Sequence, residues 1–255
     1  MIKRYVIISD LQIPFHHKRN VETLQDFIFE TKVDGLFCVG DEVDVPQLGA
    51  FNKGTRAEFE RTLQKDFTTA HNVLKDFREA VGNKKPFVLQ RSNHSQRIEK
   101  YIYKNAPAFE SVTALRIENL LGLDKLKITY QRHMDFIAPG VLMGHGDEGR
   151  MYTTAGLTAL NLALRTGQNC VIGHTHRQGI SSASRGFGGR LNTIWGMEVG
   201  NLMDLRSSGA SYIKEKAANW QQGFGMLYVQ DNHVVPQLVP INNKGKFIAD
   251  GQEWG

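Results

Sequence analysis

Residues 35–44 read GLFCVGDEVD. A short uncharged apolar run of this kind is the pattern of a strand covered on both faces, and it stops at Gly40, beyond which stand the carboxylates of Asp41, Glu42 and Asp44. Upstream, YVIIS (5–9) ends the same way at Asp10-Leu11-Gln12, with a polar-apolar stretch over 20–31 between the two runs. The chain therefore opens as strand, helix, strand. Downstream, Phe59, Leu63, Phe67, Leu74, Phe77 and Val81 fall on one helical face, and Gly82 with Pro86 supplies a stop, so the spacing predicts one long helix over 56–82. PFVLQ (86–90) is the next strand, followed by a helical stretch from about Gln96. KITY (127–130), DFIAP (135–139) and VLMGH (141–145) read as strands before a second helix over about 153–166, closed by Gly167. CVIG (170–173) is again a buried strand, and LNTIWGM, FGMLYVQ and HVVPQLV make the remainder β-rich. Within it SSASRGFGGR (181–190) reads as a flexible hairpin loop whose two arginines could meet a phosphate. The fold expected is α/β, a two-sheet β core flanked by helices, in one domain over residues 1–255.

Composition sets the outer bounds. The 255 residues are 41% hydrophobic and 22% charged with 25 Gly and 7 Pro, which excludes disordered, collagen-like and coiled-coil chains. No run approaches the roughly 18 apolar residues of a membrane span. The start, MIKRYVIISD, carries neither a signal nor an anchor pattern, so a cytoplasmic location is expected. Cys38 and Cys170 each sit in an apolar run and read as buried thiols of a reducing compartment. The net charge of +5 is spread along the chain and is compatible with a phosphate-bearing partner.

The polar residues carry the chemistry. FVLQ leads to Ser92-Asn93-His94, VLMG ends in His145, and CVIG ends in Gly173-His174-Thr175-His176. Strand carboxyl ends line the crevice where α/β sheets bind ligands, so these ends would gather Asp10, Gln12, Asp41, Asp44, Asn93, His94, His145, His174 and His176. Oxygen and imidazole donors without thiolate suit Mn²⁺, Fe²⁺ or Zn²⁺. One ion could not use all of them. Two ions about 3.5–4 Å apart with a bridging carboxylate could, and such a pair serves in-line displacement at phosphorus.

In order, Asp10-Leu11-Gln12, Gly40-Asp41-Glu42-Val43-Asp44, Ser92-Asn93-His94-Ser95, His145 and Gly173-His174-Thr175-His176 resemble the five blocks of the calcineurin-like metallophosphoesterase superfamily, over residues 10–176. The resemblance implies two divalent ions, Mn²⁺ first with Fe²⁺ or Zn²⁺ as alternatives. It implies that Asp10, Gln12, Asp41 and His176 hold one of them, and that Asp41, Asn93, His145 and His174 hold the other, Asp41 bridging. It further implies a metal-bound hydroxide as nucleophile, with His94 as general acid at the substrate and Asp44 orienting its ring. The substrate expected is a phosphate ester, monoester or diester, of a nucleotide or nucleic-acid end. No membrane partner is expected, and the sequence leaves the oligomeric state open.

Three positions depart from the family pattern. Gln12 stands for a common histidine and is a weaker, neutral donor. Ser92 stands for a glycine, so its Cβ adds strain if the position needs a positive φ, and Ser95 stands for an acidic residue. The rival reading is a metal- or nucleic-acid-binding module in which Ser92 and Ser95 have removed turnover. Arg97 and Arg177 are candidates for a substrate phosphate, with surface salt bridges as the alternative. His16 and His17 read as solvated loop residues, Trp220 and Phe224 as core, and Asp147 and Glu148 receive no role.

Overall fold

The computed structural model describes residues 1–49, 52–213 and 217–255. The first sheet is built on β1 (Lys3–Ile8), β2 (Gly35–Cys38), β3 (Phe87–Gln90) and β4 (Thr129–Gln131), all parallel. Antiparallel β10 (Gly223–Gln230) and β11 (His233–Pro240) extend it beyond β1, giving the order β11-β10-β1-β2-β3-β4. The second sheet comprises β5 (Asp135–Ala138), β6 (Val141–Met143), β7 (Asn169–Ile172), β8 (Gln178–Phe187) and β9 (Arg190–Val199) in the order β5-β6-β7-β9-β8. Its β6, β7 and β9 run parallel. A small hairpin of β12 (Phe247–Ala249) and β13 (Gln252–Trp254) closes the chain.

Side-chain alternation explains why the central strands read as unbroken apolar runs. Ile7 of β1, with Phe37 and Val39 at and just beyond β2, points between the sheets and meets Val141, Met143, Val171, Met197 and Val199. Their neighbours Val6, Ile8, Leu36 and Cys38 point the other way, onto the layer of α1 (Lys18–Thr31) and α3 (Leu63–Val81). On the second sheet, Cys170 and Ile172 face α6 (Leu157–Thr166) through Ala159, Leu162 and Ala163. The result is a mixed α/β fold of two sheets flanked by helices. Each fully buried Val, Ile or Leu contributes about 1.5–3 kcal/mol, so strand register is strongly specified by both faces. Cys38 and Cys170 are free thiols buried in these layers, and burial pushes the Cys170 thiol up to about 11.

Two elements differ from the sequence expectation. The long helix over 56–82 is broken into a single turn, α2 (Arg56–Phe59), and α3. Thr62 is extended at φ −103° and ψ 139°, and its side chain caps Lys65 N, so a new helix begins there and Phe59 is left exposed. The second helix begins later than about 153, because Gly156 at φ +82° precedes its first turn. α4 (Arg97–Asn105) and α5 (Ile117–Leu120) fill the connection between β3 and β4.

Candidate metal centre

The crevice lies at the carboxyl ends of β1, β2, β3, β6 and β7, and the connections after β1 and β2 run side by side there. Asp10 N donates to Gly40 O (3.1 Å), Gln12 N to Asp41 O (2.8 Å) and Ile13 N to Glu42 O (3.0 Å). These bonds continue the β1–β2 pairing while the backbone turns. Asp10, Gln12, Asp41, His174 and His176 all sit at positive φ, between 50° and 64°. They are half of the ten such non-glycine residues among those described. Left-handed backbone costs a β-carbon residue of order 1 kcal/mol or more and persists where the surroundings over-determine it, a concentration typical of ligand sites. Gly173 is needed for a different reason, since a Cβ there would meet Ser9 Oγ at 1.8 Å and Asp10 Oδ2 at 2.8 Å.

Two donor groups converge on Asp41. Ligand atoms of Asp10, Asp41 and His176 lie within 4.8 Å of one another, as do those of Asp41, His145 and His174. In the first group Asp10 Oδ2 accepts from Ser9 Oγ and from His174 N (3.0 Å), which turns Oδ1 toward His176 Nε2 at 3.0 Å. Gln12 joins this group through its amide nitrogen, 3.0 Å from Asp41 Oδ2 and 3.5 Å from His176 Nε2. In the second group His145 Nδ1 donates to Val39 O (2.8 Å), leaving Nε2 to face Asn93 Oδ1 at 2.7 Å and Asp41 Oδ1 at 3.4 Å. The His174 ring stands edge-on to His145 with centroids 4.8 Å apart.

The donor chemistry of these residues fits metal binding. Asp10 Oδ1, Gln12 Oε1 and Asp41 Oδ1 are buried and make no hydrogen bond, the two carboxylate oxygens having only the imidazole nitrogens of His176 and His145 beside them, a costly arrangement for polar atoms unless a cation uses them. Burial alone would raise the Asp41 carboxyl, but the imidazoles of His94 and His145 outweigh it and hold the group well below the usual carboxylate range. Burial likewise opposes charge on His145, and facing Asp41 overrides it, raising the imidazole to about 10. Glu42 shows the reverse balance, since burial and the charge of Asp41 outweigh the pull of His145 and His94. It is fully buried, both its oxygens lack partners, and burial pushes its carboxyl up to about 8.

His94 and Asp44 stand beside these groups. Asp44 Oδ1 lies 2.7 Å from His94 Nδ1, and His94 Nε2 points back to Asp41 Oδ2 at 3.9 Å. Burial disfavours the imidazolium, yet Asp41 and Asp44 together raise its pKa. Arg97 reaches the same place, with Nη2 3.0 Å from His94 Nε2 and Nη1 3.1 Å from Asp44 Oδ1. Arg177 points elsewhere, into an ion pair with fully buried Glu198 (3.4 Å) and onto Tyr152 O. Ser92 has no positive φ, so the strain conditional on that conformation does not arise. Instead Ser92 N donates to Ser95 Oγ (2.9 Å) and Ser95 N to Ser92 Oγ (3.1 Å), a reciprocal clasp around Asn93 and His94.

Several residues at the site carry little signal of their own in the sequence. Glu198 accepts from Thr175 Oγ1 (2.7 Å), next to His176, and from Thr158 N (3.0 Å) at the start of α6, and so ties the His176 turn to that helix. Glu148 accepts from His145 N (3.0 Å) and Gly146 N (2.7 Å), bracing the turn after β6. Trp220 is half-buried rather than core, its ring 4.1 Å from that of His176. His16 is buried rather than solvated, and loss of hydration lowers its pKa to about 4.

The chain is 39% identical to the gene 54 protein of Mycobacterium phage D29 over 257 residues, covering 100% of this chain and 99% of that one. It is 37% identical to the gene 54 protein of Mycobacterium phage L5, again over 100% of this chain and 99% of the relative. The chain belongs to this gene 54 protein family. No family model matches it. Among solved structures it is similar to Vps29 of Cryptosporidium parvum, at 14% identity and TM-score 0.46 over 99% of this chain and 94% of that one. It is also similar to Vps29 of Entamoeba histolytica complexed with Zn²⁺, at 10% identity and TM-score 0.47 over 98% and 95%. In this gene 54 family member the five motif blocks meet at one crevice beside two helix-flanked sheets, the arrangement that the resemblance to calcineurin-like metallophosphoesterases implies. Among the described residues no helix is long and apolar enough to cross a membrane.

Proposed function

We propose that this protein is a two-metal phosphoesterase acting on phosphate esters of nucleotides or nucleic-acid ends. The observation that carries the reading is Asp41, whose buried carboxylate is common to both donor groups. Asp10, Gln12 and His176 would complete one site, Gln12 through its amide oxygen after rotation of the amide, and Asn93, His145 and His174 would complete the other. When bound, the ions supply an acidified water as nucleophile and positive charge for the phosphoryl oxygens.

The chain's own groups do the rest. Val39 O fixes the His145 ring, so its Nε2 faces the crevice and would ligate on losing its proton. Asp44 holds His94 by Nδ1, which leaves Nε2 as the atom that can pass a proton to a leaving oxygen. Arg97 Nη2, 3.0 Å from that nitrogen, would donate to a phosphoryl oxygen beside it. The Ser92–Ser95 clasp keeps Asn93 and His94 on one rigid turn, which supports turnover rather than its loss.

The test is hydrolysis of a bis-aryl phosphodiester and an aryl phosphomonoester by the purified protein with Mn²⁺, beside Asp41→Asn. Metal-dependent release of phenolate that disappears in the variant is the expected result. Bound ions with no hydrolysis of either ester would overturn the reading in favour of a binding module.

A further inference from the structure

Apart from Glu198 near the end of β9, the β8–β9 ribbon places none of the candidate donor residues, although β8 begins two residues after His176. Its inner half packs on α6, whereas residues 184–193 are exposed throughout. The stretch expected to be a flexible loop is instead two paired strands joined by Gly188 and Gly189 at φ 62° and 79°, the conformation of a two-residue hairpin turn. Register then decides what the tip displays. Phe187 lies opposite Arg190 and Arg185 opposite Asn192, and opposed residues share a face, as do alternate residues of one strand. One face of the tip therefore presents Arg185, Phe187, Arg190 and Asn192 together.

The composition of that face is specific. Phe187 is 94% exposed, so its ring is open to stacking. Among the described residues neither arginine enters an ion pair, and the sequence holds no Asp or Glu between Arg177 and Glu198. Two guanidinium forks, an open aromatic ring and an amide are the groups that hold phosphates, stack a base and bond a base edge. Self-association through this face would set arginines against arginines in a chain of net charge +5.

We propose that this ribbon face binds a polynucleotide strand, Arg185 and Arg190 taking phosphates and Phe187 stacking an unpaired base. The inference rests on the phosphoesterase reading in one respect, that the bound strand is substrate, which makes that substrate a polymer rather than a free nucleotide. At the ordinary rise per residue the tip stands roughly 30 Å along the ribbon from its base, a span of several nucleotides.

The test is binding of a labelled phosphorothioate single strand, long enough to span metal centre and tip and resistant to cleavage, with a duplex of the same sequence alongside. Arg185→Ala/Arg190→Ala lowers affinity at least about tenfold at low salt and flattens the salt dependence by about 1.4 log units per log unit of salt. Phe187→Ala weakens the single strand about tenfold and the duplex less. Both variants hydrolyse the bis-aryl phosphodiester at the wild-type rate. Wild-type affinity and salt slope in the variants would overturn the proposal, as would a dimeric wild-type chain that the variants render monomeric without changing affinity. If the wild type hydrolyses no ester while the variants still lose strand binding, the phosphoesterase reading fails and the ribbon assignment stands. If it hydrolyses esters but binds no strand, the ribbon assignment alone fails.

Discussion

The two donor groups that meet at Asp41 are built to different standards. The His145 group has its imidazole locked by a backbone carbonyl and its turn braced by Glu148, with Asn93 Oδ1 facing His145 Nε2 at 2.7 Å. The His176 group depends on Gln12, whose amide nitrogen faces Asp41 and His176 and must rotate before its oxygen can serve. A preorganised set loses little on binding, whereas a set that must rearrange gives up part of its affinity. On the proposed two-metal function, one carboxylate would serve two ions of unequal affinity, the His145 site filling first.

The largest effect that sharpens this comparison comes from a residue belonging to neither group. His94→Ala lowers turnover of the aryl phosphodiester by about 10²–10⁴-fold with both ions retained. Loss of an ion in the variant, read by metal analysis, would make His94 a ligand and redraw both groups.

Next in size is an acid sensitivity on the side of the Gln12 loop, which continues to buried His16. The folded pKa of His16 is about 4 against 6.5 for the unfolded chain, so the unfolded state takes the proton first as pH falls. Stability is fully present above pH 6.5, declines as pH drops toward about 4, and levels off below, a loss of about 3 kcal/mol. Denaturant titrations of wild type and His16→Asn across that window show the difference, and parallel curves would contradict it.

Smaller effects separate the groups directly. Glu198→Gln weakens the bond to Thr175 and the pair with Arg177, and reduces affinity at the His176 site by about 10–100-fold while sparing the other. Gln12→His tightens the weaker site by about tenfold, since imidazole is the stronger donor. Calorimetric titration with Mn²⁺ resolves the two sites, and equal movement of both in either variant would break the comparison.

The strands and donor residues were legible because parallel strands covered on both faces appear as apolar runs, and each run ended in polar residues. What escaped depends on partners distant in sequence. Glu198 reaches Thr175, beside His176, only because β9 pairs with β7, setting Glu198 opposite Ile172. His16 is buried by a bridge to Met203. The break before α3 hid in a helical spacing that ignores a single cap, Thr62. Glycine and serine made the ribbon look like a loop, although Phe187-Gly188-Gly189-Arg190 carries the two-residue turn that pairs its strands.

The central claim is that Asp41 is shared, and the most direct measurement is the metal content of protein equilibrated with Mn²⁺ and freed of excess, for wild type and Asp41→Asn. The account predicts two ions per wild-type chain and weakened retention at both sites in the variant. Two ions held equally well by Asp41→Asn, or a single ion in the wild type at saturation, would contradict it.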